Sequence, residues 1–422
     1  MTHPITSISA WEALDSRGHP TIAAQVTVDG AHEAVCLAPA GASAGGFEAV
    51  FLRDQGDHYR GFSVRRVIES ALPKLRDALI GVDAGSPDDV HRALRTIDNS
   101  PAWTSLGGNV VTSVSIACWL AASSAQGRAP WQVMAEWTSR TPTLPRPMIN
   151  IVSGGAHAGS AVDIQDVLAI PTGATSIEDA LETISAIRHE TAQLMATSGH
   201  PAHLVADEGG LAGAFRSNAD AVEVVADGIA RAAQSTGQAG AIALDIAANQ
   251  FFDGTGYLFD GQTITSAELV AVLEGWVERW PVVSIEDPLA ETDDWSPLTR
   301  LASRIQIVGD DRYATQSARV REGIAAGEAN SVLVKPNQAG TLFDALATLH
   351  TTLEAGWAPI VSARSGDTEQ DWLVDLAVGT GAGQIKVGST HRSERTAKWN
   401  RLLQLSAQTS LPYASEPPLG KP

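Results

Sequence analysis

Three runs in the second half of the chain have the same form: Val282-Val-Ser-Ile-Glu286, Ile305-Gln-Ile-Val-Gly-Asp310 and Ser331-Val-Leu-Val-Lys335. Each run is rich in β-branched residues, which favour strands, and each ends on a charged residue. Amphipathic helical patterns lie between them, at 266–280 and 317–326. Strands that alternate with helices predict a parallel sheet. The charged residues should then meet at the carboxyl edge of that sheet.

The same form extends in both directions along the chain. Further runs end at Asp245, Arg364 and Lys386, and four of the five steps between run ends measure 22 to 29 residues. A step of that length accommodates one strand, one helix and two loops. Six such units in succession predict a β/α barrel, whose active site lies at the carboxyl ends of its strands.

The pattern changes at Thr141-Pro-Thr-Leu-Pro-Arg-Pro147, which disfavours both helix and strand. Residues 1–140 have the mixed pattern of an α+β domain, and residues 141–409 form the predicted barrel. The Gly- and Ala-rich loop 38–46 suggests either a mobile active-site lid or a plain surface loop. Residues 410–422 are a Pro-rich tail that we predict to be poorly ordered.

The chain has 29 Lys and Arg residues against 48 Asp and Glu residues, a formal net charge of −19. This charge disfavours nucleic acid and anionic membranes as partners, because both would repel the protein at long range. We expect no membrane span, since no apolar run reaches about 20 residues, and no secretory signal. Cys36 and Cys118 fit no metal or redox spacing, so we expect a cytoplasmic protein with buried thiols.

Three acidic residues, Asp245, Glu286 and Asp310, end successive runs. Their carboxylates should therefore converge on the mouth of the barrel. Oxygen ligands with room left for water and substrate suit Mg²⁺. One such acid could equally be a surface residue or a helix cap, but three in succession favour a metal site.

Only five of the basic residues are lysines, and two of them, Lys335 and Lys386, end predicted strands. Cations beside a bound metal would lower the pKa of a neighbouring lysine and make it available as a base. Arg364, followed by Ser365, offers a planar fork that suits a phosphate or a carboxylate.

Four further polar residues precede the repeating runs: His157, Gln165, Asp166 and Glu208. Two carboxylates that converge have pKa values that are pushed apart, and the group with the raised pKa can act as a general acid. Spacing alone leaves open whether Asp166 and Glu208 share one pocket.

Taken together, these segments resemble the enolase family over residues 4–407. The resemblance rests on Asp15-Ser-Arg-Gly-His-Pro-Thr21, Gly41-Ala-Ser-Ala-Gly45, Asn150 through His157 to Gln165-Asp166, Asp207-Glu-Gly-Gly210, Ser284-Ile-Glu-Asp287, Val308-Gly-Asp-Asp311, Lys335-Pro-Asn-Gln-Ala-Gly-Thr-Leu342, Arg364-Ser-Gly366 and Gly381-Ala-Gly-Gln-Ile-Lys386.

The resemblance implies an α/β fold, a modified TIM (β/α)8 barrel with an N-terminal α+β capping domain, in a homodimer or higher homo-oligomer. It also implies a lyase with two Mg²⁺ ions per active site that converts 2-phosphoglycerate to phosphoenolpyruvate. Residues implied to hold metal are Asp245, Glu286, Asp310 and Ser43. Residues implied to contact substrate are His157, Gln165, Arg364, Ser365 and Lys386.

Lys335 would be the base that removes the C2 proton, and Glu208 the acid that protonates the leaving hydroxide. Asp166 and His157 complete the set of implied catalytic residues.

Several positions depart from the family pattern. The family's glutamate is Asp166, its histidine is Ala363, and Pro336 and Val387 replace Val and Thr. In the loop, Ala40-Gly-Ala-Ser-Ala44 replaces Ser-Gly-Ala-Ser-Thr. Because the implied metal and base residues are unchanged, we expect that enolate formation is kept while the pocket wall near the leaving group is opened.

We therefore predict a specialised paralogue of the carboxyphosphonoenolpyruvate synthase type, which belongs to phosphonate and phosphinate natural-product biosynthesis. That branch is thought to join a phosphonoformate unit to the 2-phosphoglycerate skeleton. The alternatives are an ordinary phosphopyruvate hydratase of glycolysis and a non-catalytic protein that keeps the scaffold for binding.

Overall fold

The computed structural model describes residues 2–41, 45–199 and 204–414. The N-terminal domain is a three-stranded antiparallel sheet followed by four helices. Its elements are β1 (Ile5–Leu14), β2 (Pro20–Val28), β3 (His32–Leu37), α1 (Arg65–Leu79), α2 (Pro87–Ile97), α3 (Gly108–Ala125) and α4 (Pro130–Thr138). The central strand β2 pairs with both neighbours. Asp29 and Gly30 both adopt positive φ in the turn that joins β2 to β3, as Asp-Gly pairs do in hairpins.

Helix α3 is the core helix of this domain. Fifteen of its eighteen residues are buried, and it packs against β2 and β3. By length and composition alone it could cross a membrane. Burial of 83% of that segment inside the protein is typical of a core helix.

The C-terminal domain alternates strands with helices. Its elements are β4 (Arg146–Ser153), β5 (Asp166–Ile170), α5 (Ile177–Thr197), β6 (Leu211–Ala212), α6 (Asn218–Thr236), β7 (Ala241–Asp245), β8 (Tyr257–Phe259), β9 (Gln262–Ile264), α7 (Ser266–Arg279), β10 (Val282–Glu286), α8 (Thr299–Ala302), β11 (Gln306–Gly309), α9 (Ser317–Ala326), β12 (Ser331–Val334), α10 (Pro336–Ala339), α11 (Leu342–Glu354), β13 (Ala358–Ser362), α12 (Trp372–Thr380), β14 (Gln384–Gly388) and α13 (Ser393–Gln408).

Eight of these strands close into a barrel in the order β4, β5, β7, β10, β11, β12, β13 and β14, with β14 pairing back to β4. The predicted α/β barrel with an α+β capping domain is therefore confirmed. A separate apolar cluster, which includes Leu168, Val308 and Leu333, is formed by alternate residues of the barrel strands. This cluster fills the interior of the barrel, so the barrel is a packed core and its chemistry is confined to one end.

One strand departs from the parallel sheet that the sequence pattern predicts. Strand β5 runs antiparallel to both β4 and β7. The connection between β4 and β5 contains only a single helical turn, at Gly155–His157, whereas a parallel crossover usually needs a whole helix. As a result Asp166, the first residue of β5, lies opposite Asp245, the last residue of β7.

The capping domain contacts the barrel around Gly340. The backbone there has φ +101°, and an ideal Cβ at this position would lie 2.2 Å from the indole Nε1 of Trp103. The hydroxyl of Thr112 donates to the Gly340 carbonyl at 2.6 Å, and the hydroxyl of Ser115 accepts from the Leu342 amide at 3.1 Å. The two domains therefore meet at a close contact that requires glycine.

The described part of the predicted tail is paired with the start of the barrel domain. The Leu144 amide donates to the Pro412 carbonyl at 2.8 Å, and the Ala414 amide donates to the Leu144 carbonyl at 3.0 Å. Residues 415–422 lie outside the described part of the chain. In loop 38–46 the same holds for residues 42–44, which include Ser43.

We expect Gly340→Ala to destabilise the protein by roughly 2–5 kcal/mol, because an alanine would be strained at this φ and would overlap the Trp103 ring. The matched control is Gly327→Ala, where φ is +65° and nothing lies within 4 Å of the added Cβ. Urea unfolding of both variants measures the difference. Equal shifts in the two transitions would show that the Trp103 contact contributes nothing.

Candidate active site

A small cavity of about 40 Å³ opens at the carboxyl ends of the barrel strands. It brings together most of the predicted site residues: His157, Gln165, Glu208, Asp245, Asp310, Lys335, Arg364, Ser365 and Lys386. Asp166 and Glu286 lie behind this lining, where both are buried. Ser43 lies outside the described residues, so its predicted metal contact stays a prediction.

Lys386, on β14, joins two of the predicted metal-binding carboxylates. Its Nζ donates to Asp245 Oδ2 and to Glu286 Oε2, both at 2.7 Å. Burial disfavours the charged lysine, but these two carboxylates outweigh that effect and raise its pKa well above the ordinary value. Lys386 is therefore a permanent cation at the floor of the cavity.

Lys335, which follows β12, forms an ion pair with Asp310, which follows β11. Burial and the neighbouring charges of Arg364 and Lys386 lower the pKa of Lys335, yet Asp310 outweighs them and the net shift is upward. The lowered pKa expected for a lysine beside a bound metal and other cations is a separate case, because without a metal the ion pair with Asp310 raises the pKa.

The site holds more negative charge than its lysines balance. Besides the predicted acids, Asp287 and Asp311 lie beside Asp310, with one oxygen of each of the three within 4.8 Å of the others. Burial and mutual repulsion raise the pKa of Asp287 well above its ordinary value. The buried Oε1 of Glu286 has no hydrogen-bond partner among the described residues. The carboxylates of Asp287, Asp310 and Asp311, with the unpartnered Oε1 of Glu286, offer only oxygen ligands. Such ligands suit a hard divalent cation such as Mg²⁺.

His157 links the two carboxylates whose relation the sequence left open. Its Nδ1 lies 2.9 Å from Asp166 Oδ2, and its Nε2 lies 3.9 Å from Glu208 Oε1. Burial disfavours the protonated ring, but Asp166 and then Glu208 outweigh burial and raise the pKa of His157 to about 9. Asp166 also accepts a hydrogen bond from Asn150. Asp166 therefore contacts Glu208 only indirectly, through the ring of His157. The protonated ring in turn places a proton beside Glu208.

Glu208 is held against the end of β14 by a close backbone approach. Gly388 has φ +109°, and a Cβ there would lie 2.9 Å from the Glu208 carbonyl oxygen and 3.1 Å from its Cβ. The Ser389 amide donates to that same carbonyl at 2.9 Å. Glycine at position 388 therefore sets how close Glu208 can stand to Lys386, two residues upstream.

Arg364 is oriented by a residue that the sequence analysis missed. Its Nη1 and Nη2 donate to the two carboxylate oxygens of Glu48 at 2.8 and 3.2 Å, and both side chains are buried. Gln338 donates to Glu48 at 3.3 Å and to Asp310 at 2.9 Å. Glu48 lies two residues beyond the predicted loop 38–46, so its position next to a suspected active-site loop was the available signal.

Ala363 and Val387 form an apolar part of the cavity wall. They lie on the neighbouring strand ends of β13 and β14, and the Ala363 amide donates to the Lys386 carbonyl at 2.9 Å. Both line the cavity together with Ser365. The wall beside Arg364 therefore presents a methyl group where the family pattern has an imidazole.

Two sequence-family models match the chain. The model described as the enolase N-terminal domain matches residues 5–134, and the model described as the enolase C-terminal TIM barrel domain matches residues 141–413.

We expect the His157 imidazole of the metal-free protein to lose its proton near pH 9. NMR titration in the presence of a chelator measures this pKa, which should fall in Asp166→Asn and in Glu208→Gln. Because the pKa is raised from 6.5 on folding, the pairing stabilises the protein fully below about pH 6.5 and this stability is lost as the pH rises through about 9. The control is Glu182→Gln, at an exposed position on α5. Titration of the wild-type ring near 6.5 would contradict the assignment.

Proposed function

Because the chain belongs to the enolase family, a family of carbon–oxygen lyases, we propose that it abstracts the C2 proton of 2-phosphoglycerate or a close derivative and forms an enolpyruvyl product. The observation that carries this proposal is that one cavity is lined by Lys335, Glu208 and the cations Arg364 and Lys386. A base, an acid and an anion-binding wall are the groups that such an elimination needs.

The family uses Mg²⁺ and binds phosphorylated carboxylates. We propose that Asp245, Glu286 and Asp310 hold one Mg²⁺ and that Ser43 contributes to a second. Bound there, the cation would neutralise Asp310 and would stabilise the charge that builds on the substrate carboxylate as its C2 proton leaves. Lys386 lies at the same carboxylates and adds a fixed positive charge to that end of the cavity.

Lys335 is the proposed base. It forms an ion pair with Asp310; Arg364 and Lys386 lower its pKa, whereas Asp310 and Glu286 raise it. If a bound cation neutralises both Asp310 and Glu286, burial and the two neighbouring cations remain and favour the free amine. Lys335 would then accept the C2 proton at Nζ.

Glu208 is the proposed acid that protonates the leaving group. His157 stands beside it and carries a proton at neutral pH because its pKa is about 9. Asp166 contacts His157 and not the cavity, so we assign Asp166 a positioning role for the imidazole. Gln165 donates to Asp245 at 3.0 Å and lines the cavity beside His157.

Arg364 and Ser365 are the proposed phosphate contacts. Glu48 holds the Arg364 guanidinium by two hydrogen bonds, which fixes the plane of the fork before substrate arrives. We also propose that the protein is cytoplasmic and forms a homodimer or a higher homo-oligomer.

We further propose the specialised paralogue, of the carboxyphosphonoenolpyruvate synthase type, over the ordinary hydratase. The support is the apolar wall at Ala363 and Val387, where a methyl group beside Arg364 takes less space than the imidazole of the family pattern. Lys335 and the proposed metal-binding carboxylates lie at the ends of other strands.

The base assignment predicts that Lys335→Ala abolishes exchange of the substrate C2 proton with solvent, a loss of about 100-fold or more. NMR of 2-phosphoglycerate in D₂O with Mg²⁺ measures the exchange. Glu208→Gln is the matched variant: product formation should fall while exchange continues, since only the acid is removed. Exchange that persists in Lys335→Ala would identify another base, and the non-catalytic alternative predicts no exchange in any form.

The wall at Ala363 predicts that the wild-type protein converts 2-phosphoglycerate to phosphoenolpyruvate far more slowly than an unmodified enolase assayed beside it. Ala363→His should obstruct a larger substrate, whereas Ala363→Ser, which keeps the space open, should not. Ultraviolet absorbance of phosphoenolpyruvate measures the first reaction. Turnover equal to that of the unmodified enolase, with little effect of Ala363→His, would establish the hydratase and refute the specialised paralogue.

A further inference from the structure

Helix α13 lies outside the cavity, yet its first two turns contain two buried cations. Arg395 is 0% exposed and Lys398 is 1% exposed. Charged side chains are almost never fully buried unless they are paired. Apolar residues of the same helix, Trp399, Leu402 and Leu405, already provide buried packing. The two cations therefore require a reason beyond packing.

Arg395 donates to the backbone of the proposed phosphate-binding segment. Its Nη1 donates to the carbonyl of Arg364 at 2.7 Å and to that of Val387 at 2.9 Å, and its Nη2 donates to the carbonyl of Ser365 at 2.5 Å. One guanidinium thus joins the ends of β13 and β14 beneath the cavity.

Lys398 holds the other end of the same segment, which we call the 364–368 loop. Its Nζ donates to Asp367 Oδ1 at 3.0 Å and to the Thr368 carbonyl. Asp367 in turn accepts the Arg364 amide at 3.3 Å. Burial lowers the pKa of Lys398, and the charge of Asp367 opposes this effect.

The 364–368 loop also supports the capping domain. Gly366 and Ala40 exchange two backbone hydrogen bonds, at 2.7 and 2.8 Å. The Ser16 amide donates to the Asp367 carbonyl at 2.8 Å. The base of loop 38–46 is thereby docked on the segment that α13 holds.

We propose that Arg395 and Lys398 are positioning residues, which fix the 364–368 loop for the substrate phosphate and at the same time dock Ala40 at the base of loop 38–46. The expected effect on substrate affinity rests on the proposed function. The positioning itself does not, because it follows from hydrogen bonds within the protein.

The test compares Lys398→Met with Arg401→Met. Methionine keeps most of the length of the lysine but removes the donor, and it leaves the buried Asp367 without its cation. Arg401 lies on the same helix and forms an ion pair with Asp375, at 2.7 and 2.9 Å, away from the 364–368 loop. Hydrogen exchange of the full-length protein is followed by mass spectrometry over residues 364–368 and 38–41.

We expect exchange to accelerate in both segments in Lys398→Met and in neither segment in Arg401→Met. With 2-phosphoglycerate and Mg²⁺, KM should rise about tenfold or more in Lys398→Met while kcat changes little, because the base and the acid are untouched. Lys398→Arg, which retains a cation, should recover much of the affinity.

Unchanged exchange in both segments of Lys398→Met would overturn the proposal, and so would an equal effect of Arg401→Met. If Lys398→Met does not fold, the double variant Asp367→Asn with Lys398→Met removes both buried charges and should still show fast exchange in both segments. A wild-type protein that neither binds nor turns over 2-phosphoglycerate would refute 2-phosphoglycerate as its substrate, while the exchange comparison would still decide the positioning.

Discussion

The structure depends on how buried negative charge is balanced at the mouth of the barrel. Five carboxylates, Asp245, Glu286, Asp287, Asp310 and Asp311, are gathered there, with Lys335 and Lys386 as the cations that face them. The barrel brings these carboxylates together because each ends a strand or follows one. Their mutual repulsion therefore has to be balanced by neighbouring cations. Removing Lys386 would leave Asp245 and Glu286 uncompensated, and an unpaired buried charge is strongly destabilising. The stability of the arrangement therefore depends most on this shared cation.

Such buried ion pairs contribute orientation more than stability, since desolvation offsets most of their attraction. Glu48 fixes the plane of Arg364, Asp166 fixes the ring of His157, and Lys386 spaces Asp245 from Glu286. In each of these pairs, the interaction fixes the orientation of one side chain. The chain has a net charge of −19, yet Lys335, Arg364 and Lys386 line the cavity that we propose binds a phosphorylated substrate. The global charge consequently says little about a small anion bound at this site.

The sequence predicted the features that are local. The barrel, its strand ends and the residues at those ends follow from short runs that repeat, and the boundaries of β7, β10 and α9 agree with the runs to within a residue. The direction of β5 was missed because it depends on the length of one connection. Glu48 was missed because its partner Arg364 is 316 residues away. Arg395 and Lys398 were missed because a cation on a helix is normally solvated, and only the packed structure shows that these two are buried.

The antiparallel strand β5 separates a short-range part of the proposed site from a long-range part. His157 and Asp166 are nine residues apart on one hairpin, so the two residues beside the proposed acid are brought together by a short loop closure. The opposite side of the cavity joins Lys386 to residues 100 and 141 positions away, and these pairs require distant strands of the barrel to come together. Among the departures from the family pattern, Asp166 lies on this hairpin, whereas Ala363 and Val387 lie at the ends of β13 and β14. The departures near the proposed leaving group therefore occur in both the short-range and the long-range part of the site.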